Sequence, residues 1–412
     1  MKEIKLKVGN DTGNSEHDVI INGHLIAQPN VMARVNKIPN LDELSRDNFI
    51  KDIQNNLIVN ICNDGVRAGN YFVGNFALKS NVKAKSIDVS IDNDKVKSEI
   101  VMVNTLAQIA GEAVREAYLS NSLEDELTVN VDMTGSIPVK YYSKKAAKEY
   151  VDRYMDKKHI VNVYLPEGSV LVKIIFEYIK IIPEGVTAIH YLKDAPDSVF
   201  DTYNKKLMAK KDNGEITGAD AKKLTLSKDF FADKSKKILH ISIGEGTTEY
   251  PITFEKIKYD RTSMDGSNNG VGVAITDMIT DYKKETRNVK ATRQDISNAF
   301  KDPLNKWHDV ACELLEIPLE NQSDEILEIA KEKIDNNDVD CVVVYGGGSI
   351  AMRDALEESL QRVCDERRTI LLYVDEKDAV TLEVKGLFNL VDGKLFEKLK
   401  ERNLESEEQE EK

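Results

Sequence analysis

Three turns in this sequence combine glycine with polar side chains in the pattern that backbone capture of phosphate requires: "NDTGN" at 10–14, "GEGTT" at 244–248 and "YGGGS" at 345–349. The first two sit at the tips of strand-turn-strand segments, where backbone N–H groups and hydroxyls can approach a phosphate chain from either side. Their candidate ligand-facing residues are Asp11, Thr12, Gly13 and Asn14, then Gly244, Glu245, Gly246, Thr247 and Thr248. The third turn follows an apolar strand and opens a helix, so Gly346, Gly347, Gly348 and Ser349 suit a nucleoside and its inner phosphate. Any tight hairpin uses glycine, so one such turn carries little weight and the combination carries the reading. No G-x-x-x-x-G-K-[ST] loop occurs, and no G-x-G-x-x-G stands between a strand and a helix.

The elements that must position these turns are legible from periodicity. Residues 4–8 and 18–27 read as strands around the first turn, and the polar stretch 29–100 as short antiparallel strands broken by "CNDG" and "VGN". Apolar residues at helical spacing predict a helix from Glu99 to Tyr118, then a strand over "ELTVNVDMTGSIPV" and a helix over "KKAAKEYVDRYMD". "VNVYLP" and the run ending "IKIIPEG" form a hairpin, which leaves Glu184 at a strand-to-helix junction before "VTAIHYL". Residues 194–236, rich in Lys and Asp, read as a solvent-facing insertion. A hairpin at 238–259, a Gly-Asn segment "DGSNNGVGVAI", a helix-rich stretch to 337 and a strand-turn-helix over "VDCVVVYGGGSIAMRDALEESL" follow.

Bulk properties bound the class. A chain of 412 residues exceeds one core, since single cores stop growing near about 250 to 300 residues. With 41% hydrophobic and 31% charged residues, it has the composition of a packed globular protein. A net charge of −14 argues against direct coating of nucleic acid, so any link to DNA is expected to be indirect. Cys62, Cys312, Cys341 and Cys364 show no C-x-x-C spacing and read as reduced, cytosolic thiols. The six histidines lack metal-ligand spacing, and Trp307 reads as a helix anchor. The most apolar stretch is cut by Lys173, Glu177 and Lys180, short of the roughly 18 residues a membrane span needs, and no export signal is read.

The ordered set "VGNDTGNSEHDVIING", "YFVGNFAL", "IKIIPEG", "IGEGTTEYPI" and "VVVYGGGSI" resembles the actin-like plasmid-segregation ATPases of the ParM type, within the actin, sugar-kinase and chaperone-ATPase superfamily. The resemblance covers residues 4 to about 395 and implies an α/β, actin-like two-lobed fold with two RNase H-like core domains and two smaller subdomains. On that basis lobe I is expected at 1–28, 100–193 and 371–400, with a small subdomain at 29–99. Lobe II is expected at 237–275 and 338–370, with a small subdomain at 276–337, and 401–412 as an acidic disordered tail. It also implies that Asp11 holds Mg²⁺ through water, and that Glu184 orients the attacking water. Ser242 stands where such proteins usually carry an aspartate, so metal hold and hydrolysis are expected to be weakened.

The function implied is a cytoplasmic, bacterial filament-forming ATPase, accepting ATP or GTP with Mg²⁺. It would polymerise head to tail and segregate plasmid DNA through a small DNA-binding adaptor. A small-molecule kinase of the same superfamily is the alternative, but the base and substrate pocket it needs are not evident. A chaperone would need a peptide-binding domain, whereas a short acidic tail follows Lys400.

Overall fold

The computed structural model describes residues 3–63, 65–87, 95–155, 157–255 and 257–410. They divide into unit 1, Met1–Ile137, Tyr141–Pro183 and Val384–Lys412, and unit 2, Pro138–Lys140 and Glu184–Glu383. The division falls after Pro183 and Glu383 rather than near 193 and 371, so the Glu184 junction belongs with unit 2.

Unit 1 contains strands β1 (Glu3–Thr12), β2 (Glu16–Ile21), β3 (His24–Pro29), β4 (Val31–Val35), β5 (Ile58–Asn63), β6 (Val66–Val73), β7 (Lys85–Ser86), β8 (Glu126–Ile137), β9 (His159–Leu165) and β10 (Gly168–Pro183). Its helices are α1 (Arg46–Lys51), α2 (Gly74–Lys79), α3 (Glu99–Leu119) and α4 (Lys144–Asp152). The strands form one sheet in the order β3-β2-β1-β8-β10-β9-β5-β6-β4-β7, with β1, β8 and β10 parallel. The stretch 18–27 is two strands rather than one, because Asn22 and Gly23 both take positive φ and make a tight hairpin turn. "YFVGNFAL" likewise splits, with α2 beginning at Gly74, whose φ is +57°. Strands β4 to β7, which lie within the range expected as a small subdomain, continue the core sheet of unit 1 through β9 and β5. Ser98 caps α3 by accepting a hydrogen bond from Val101 N, and α3 is buried along most of its length.

Unit 2 contains β11 (Ile238–Ile243), β12 (Thr248–Glu249), β13 (Ile252–Phe254), β14 (Lys258–Tyr259), β15 (Gly266–Ser267), β16 (Cys341–Tyr345) and β17 (Ile370–Tyr373). Helices α5 (Ala188–Leu192), α6 (Asp201–Asp212), α7 (Gly218–Leu224), α8 (Lys228–Ala232), α9 (Val271–Glu285), α10 (Arg293–Lys301), α11 (His308–Asn337), α12 (Gly347–Ala351), α13 (Arg353–Arg367) and α14 (Glu376–Ala379) surround it. Strands β11, β16 and β17 run parallel, and β12 and β13 return antiparallel along β11. "CVVVY" is fully buried, as a parallel strand covered on both faces must be. Alternate residues divide between two cores: Val342 and Val344 face the side packed by α9, α10, α11 and α13, while Cys341, Val343 and Tyr345 face the other. Trp307, just before α11, packs against the first of these.

The 194–236 segment is not the solvent-facing insertion expected. Val199, Phe200, Leu226 and Phe231 are buried in the second core, with Phe200 and Phe231 stacked at 5.5 Å. These few apolar anchors, at 199–200, 226 and 231, were obscured by the surrounding lysines. The acidic segment expected to be disordered is helical as far as it is described: α15 (Leu382–Val391) is followed by α16 (Lys394–Glu410), and residues 411–412 lie outside the described residues. Lys400 ties α16 to unit 1 through Asp132 at 2.8 Å and Glu177 at 2.5 Å.

His17 in unit 1 and His240 in unit 2 are fully buried, and burial lowers each pKa to about 3. In the unfolded chain they titrate near about 6.5. Between those values the unfolded chain binds more protons, so their contribution is full above about pH 6.5 and is lost as pH falls toward 3. The urea midpoint, followed by circular dichroism, is expected to fall steadily from pH 7 to pH 4; a flat profile would remove these histidines from the acid response.

Candidate active site

In unit 2 the glycine turns pack backbone against backbone. A Cβ added at Gly346 would stand 2.4 Å from the Ile243 carbonyl oxygen, and one at Gly348 would stand 2.7 Å from the Gly244 oxygen. The turn after β11 and the turn after β16 are therefore in direct contact, through backbone at Gly346 and through backbone and the Ile243 side chain at Gly348. Gly346 has φ +95°, which glycine adopts without strain. Gly347 is exposed, and a Cβ there would meet nothing within 4 Å, so this position leaves the backbone open to a ligand. Helix α12 has only five residues before the chain turns into α13, so the expected helix start contributes one turn of N–H groups.

Several of the side chains expected to face a ligand also make internal contacts. Ser349 Oγ donates to the Gly346 carbonyl oxygen at 2.8 Å and closes its own turn. Thr248 Oγ1 donates to the Asn269 carbonyl oxygen. The Glu245 carboxylate lies 3.8 Å from the Arg293 guanidinium, and its backbone oxygen accepts from Gly272 N at 2.7 Å. Gly244 N donates to the Thr247 oxygen at 2.9 Å, which shapes the hairpin tip. Glu245 thus helps to hold the fold around this loop through both its carboxylate and its backbone oxygen.

Gly270 and Gly272 were missed in the sequence. A Cβ at Gly270 would stand 2.3 Å from the Glu245 oxygen, so the phosphate-type turn is wedged between the starts of α9 and α12. The signal was the glycine spacing in "NNGVGVAI", read only as a Gly-Asn segment.

Glu184 sits in a turn ahead of α5, partly exposed, and not inside the helix. Ser242 on β11 is level with Tyr345 on β16 and directly opposite Glu249 on β12. The buried Glu249 carboxylate accepts from Val139 N at 3.0 Å. An aspartate at 242 would face a second carboxylate, which like-charge pairs across strands disfavour. Ser242→Asp is expected to raise Mg²⁺-dependent phosphate release while lowering the urea midpoint without nucleotide; an unchanged or lower release rate would remove Ser242 from the mechanism.

In unit 1, Asp11, Thr12, Gly13 and Asn14 occupy the β1–β2 hairpin as expected. A Cβ at Gly13 would stand 2.8 Å from the Glu16 oxygen, and Asn30 Nδ2 donates to the Gly13 oxygen at 2.6 Å. Asn10 Nδ2 donates to Thr105 Oγ1 at 3.2 Å and His17 Nε2 lies 2.7 Å from Asn10 Oδ1, a buried network behind the hairpin. Asp11 faces Asp18 in the cross-strand register, a second carboxylate that the sequence did not single out. Two facing carboxylates favour a cation, and the buried Asn14 Oδ1, which has no hydrogen-bond partner among the described residues, would accept from its hydration water. Among the described residues no group of three or more His, Cys, Asp or Glu side chains is gathered to ligate a metal directly. A hydrated Mg²⁺ carried by phosphate fits this donor set better than a protein-caged ion.

Each unit thus repeats one plan, an antiparallel hairpin whose first strand continues in parallel with two more, and the fold is that of the actin-like proteins. Residues 9–186 match the family of actin like proteins, N terminal domain. Among solved structures the chain is similar to the actin-like protein Alp7A, at TM-score 0.64 and 16% identity over 98% of this chain and 100% of that one. It is similar to a non-polymerisable quadruple mutant of pCBH ParM, at 0.61 and 15% over 94% and 98%. Bacillus thuringiensis ParM with ATP gives 0.55 and 15% over 96% and 99%. No curated protein sequence matches the chain.

Proposed function

We propose that this protein is a nucleotide-driven, actin-like filament protein that segregates plasmid DNA in the bacterial cytoplasm. The observation that carries the reading is the backbone-to-backbone contact of the turns at Ile243–Gly244 and Gly346–Gly348, on a fold shared over nearly the whole chain with ParM-type structures, one of them with ATP. Such a glycine-lined surface suits close approach of a nucleotide, and the turn tolerates no Cβ at Gly346 or Gly348, while Gly347 leaves its backbone open.

In this reading ATP or GTP brings Mg²⁺, which supplies charge neutralisation at the phosphates. Gly13, Thr12 and Asn14 of unit 1 bind phosphate oxygens, and Asp11 holds the cation through water. Within unit 2, Gly244, Gly246, Thr247 and the Gly346–Gly348 turn suit binding of phosphate and nucleoside. Glu184 orients a water for attack and takes up its proton, a task of positioning more than of covalent chemistry. Head-to-tail self-association is heterologous and does not close, which gives a filament. The net charge of −14 agrees with DNA being held by a basic adaptor and not by this chain.

Light scattering tests the reading. Adding ATP and Mg²⁺ is expected to raise scattering, and exhaustion of the nucleotide to reverse it. No rise at high protein concentration would overturn the filament assignment.

A further inference from the structure

The main segment of unit 2 runs from Glu184 to Glu383, and its two ends are joined by a buried hydrogen-bond network inside that unit. Gly185 N donates to Glu383 Oε1 at 2.7 Å. The Tyr345 hydroxyl stands 2.8 Å from the Gly185 carbonyl oxygen and 3.1 Å from the same carboxylate oxygen, so its single proton serves these two acceptors. Tyr345 is fully buried and Glu383 is 7% exposed. A carboxylate is expensive to bury unless hydrogen bonds compensate it, and here the compensation comes from the turn that carries Glu184.

The turn has little freedom of its own. Gly185 has φ +79°, and a Cβ there would stand 2.6 Å from Pro251 Cγ. Tyr345 also ends β16, so its backbone runs directly into Gly346 while its side chain reaches the Glu184–Gly185 turn. One residue thus touches both the nucleoside-type turn and the junction that holds the water-orienting carboxylate.

We propose that Glu383 and Tyr345 are positioning residues for hydrolysis: acting through Gly185, they fix the backbone of Glu184 relative to the Gly346 turn. The proposal rests on the ATPase reading above. Misplacing a catalytic group by about 1 Å costs on the order of a hundredfold in rate, whereas nucleotide binding by glycine backbones does not depend on Glu184.

The test compares steady-state phosphate release and nucleotide affinity, by calorimetry with ATP and Mg²⁺, in the full chain. Glu383→Ala is expected to slow release by about tenfold to a hundredfold with affinity within about threefold of the parent. Glu383→Gln keeps an acceptor for Gly185 N and is expected to restore release to within about threefold. Tyr345→Phe removes only the hydroxyl, keeps the core filled, and is expected to slow release by about threefold to tenfold. The double variant Glu184→Ala with Glu383→Ala is expected to be no slower than Glu184→Ala alone, as residues acting on one step are non-additive. Undiminished release by both Glu383→Ala and Tyr345→Phe, a loss of affinity parallel to the loss of rate, or additive losses in the double variant would each overturn the proposal. A parent chain that binds no nucleotide would overturn the ATPase reading itself, which separates the two failures.

Discussion

Gly346→Ala is expected to abolish measurable nucleotide binding and to lower the stability of unit 2 by about 3 kcal/mol. Two independent costs combine. At φ +95° an L-residue is strained, and the new methyl would stand 2.4 Å from the Ile243 carbonyl oxygen and 3.1 Å from its nitrogen. Both are main-chain atoms of a buried strand, so no side-chain rotation relieves the clash and the two turns must separate. Gly347→Ala is the control: its methyl meets nothing within 4 Å, so stability is expected to hold within about 0.5 kcal/mol while a ligand on that surface binds less tightly. Urea titration with calorimetric titration of ATP and Mg²⁺ reads both. Equal stability of the two variants would mean that the contact between the turns is not rigid.

Glu184→Ala is expected to lower phosphate release by about 10² to 10⁴-fold, the usual contribution of a positioned general base, with nucleotide affinity nearly unchanged. Its place in a turn ahead of α5, rather than in the helix, leaves the carboxylate no helix dipole to serve, and it is partly exposed where a water can reach it. In the filament reading the effect is visible twice. Phosphate release falls, and scattering induced by ATP persists after the parent's has decayed. Normal release by Glu184→Ala would place the base elsewhere.

Much of the fold was legible because its strands and helices follow simple rules. "CVVVY" announced a buried strand, and the α3 segment kept apolar residues at helical spacing over 21 residues. What was not legible depended on contacts distant in sequence. Phe200 and Phe231 are 31 positions apart and meet only because the 194–236 segment folds back over the sheet. Glu245 looked like part of a phosphate loop, but its carboxylate faces Arg293 and its backbone oxygen accepts from the start of α9. Gly270 and Gly272 drew no role of their own because their partner, the Glu245 oxygen, lies 25 and 27 residues away. Glu383 and Glu249 gave no signal at all, since a glutamate that holds a backbone N–H looks like any surface glutamate.

The hydrogen bond from Gly272 to the Glu245 oxygen makes α9 a lever fixed at one end to the hairpin tip. Its 15 residues span about 22 Å, so a swing of about 5° at the tip carries the far end through about 2 Å. A solvatochromic dye attached near Lys284, on the exposed last turn, would then convert occupancy of the loop into an optical signal, and could time the loop's cycle in solution without following polymer at all.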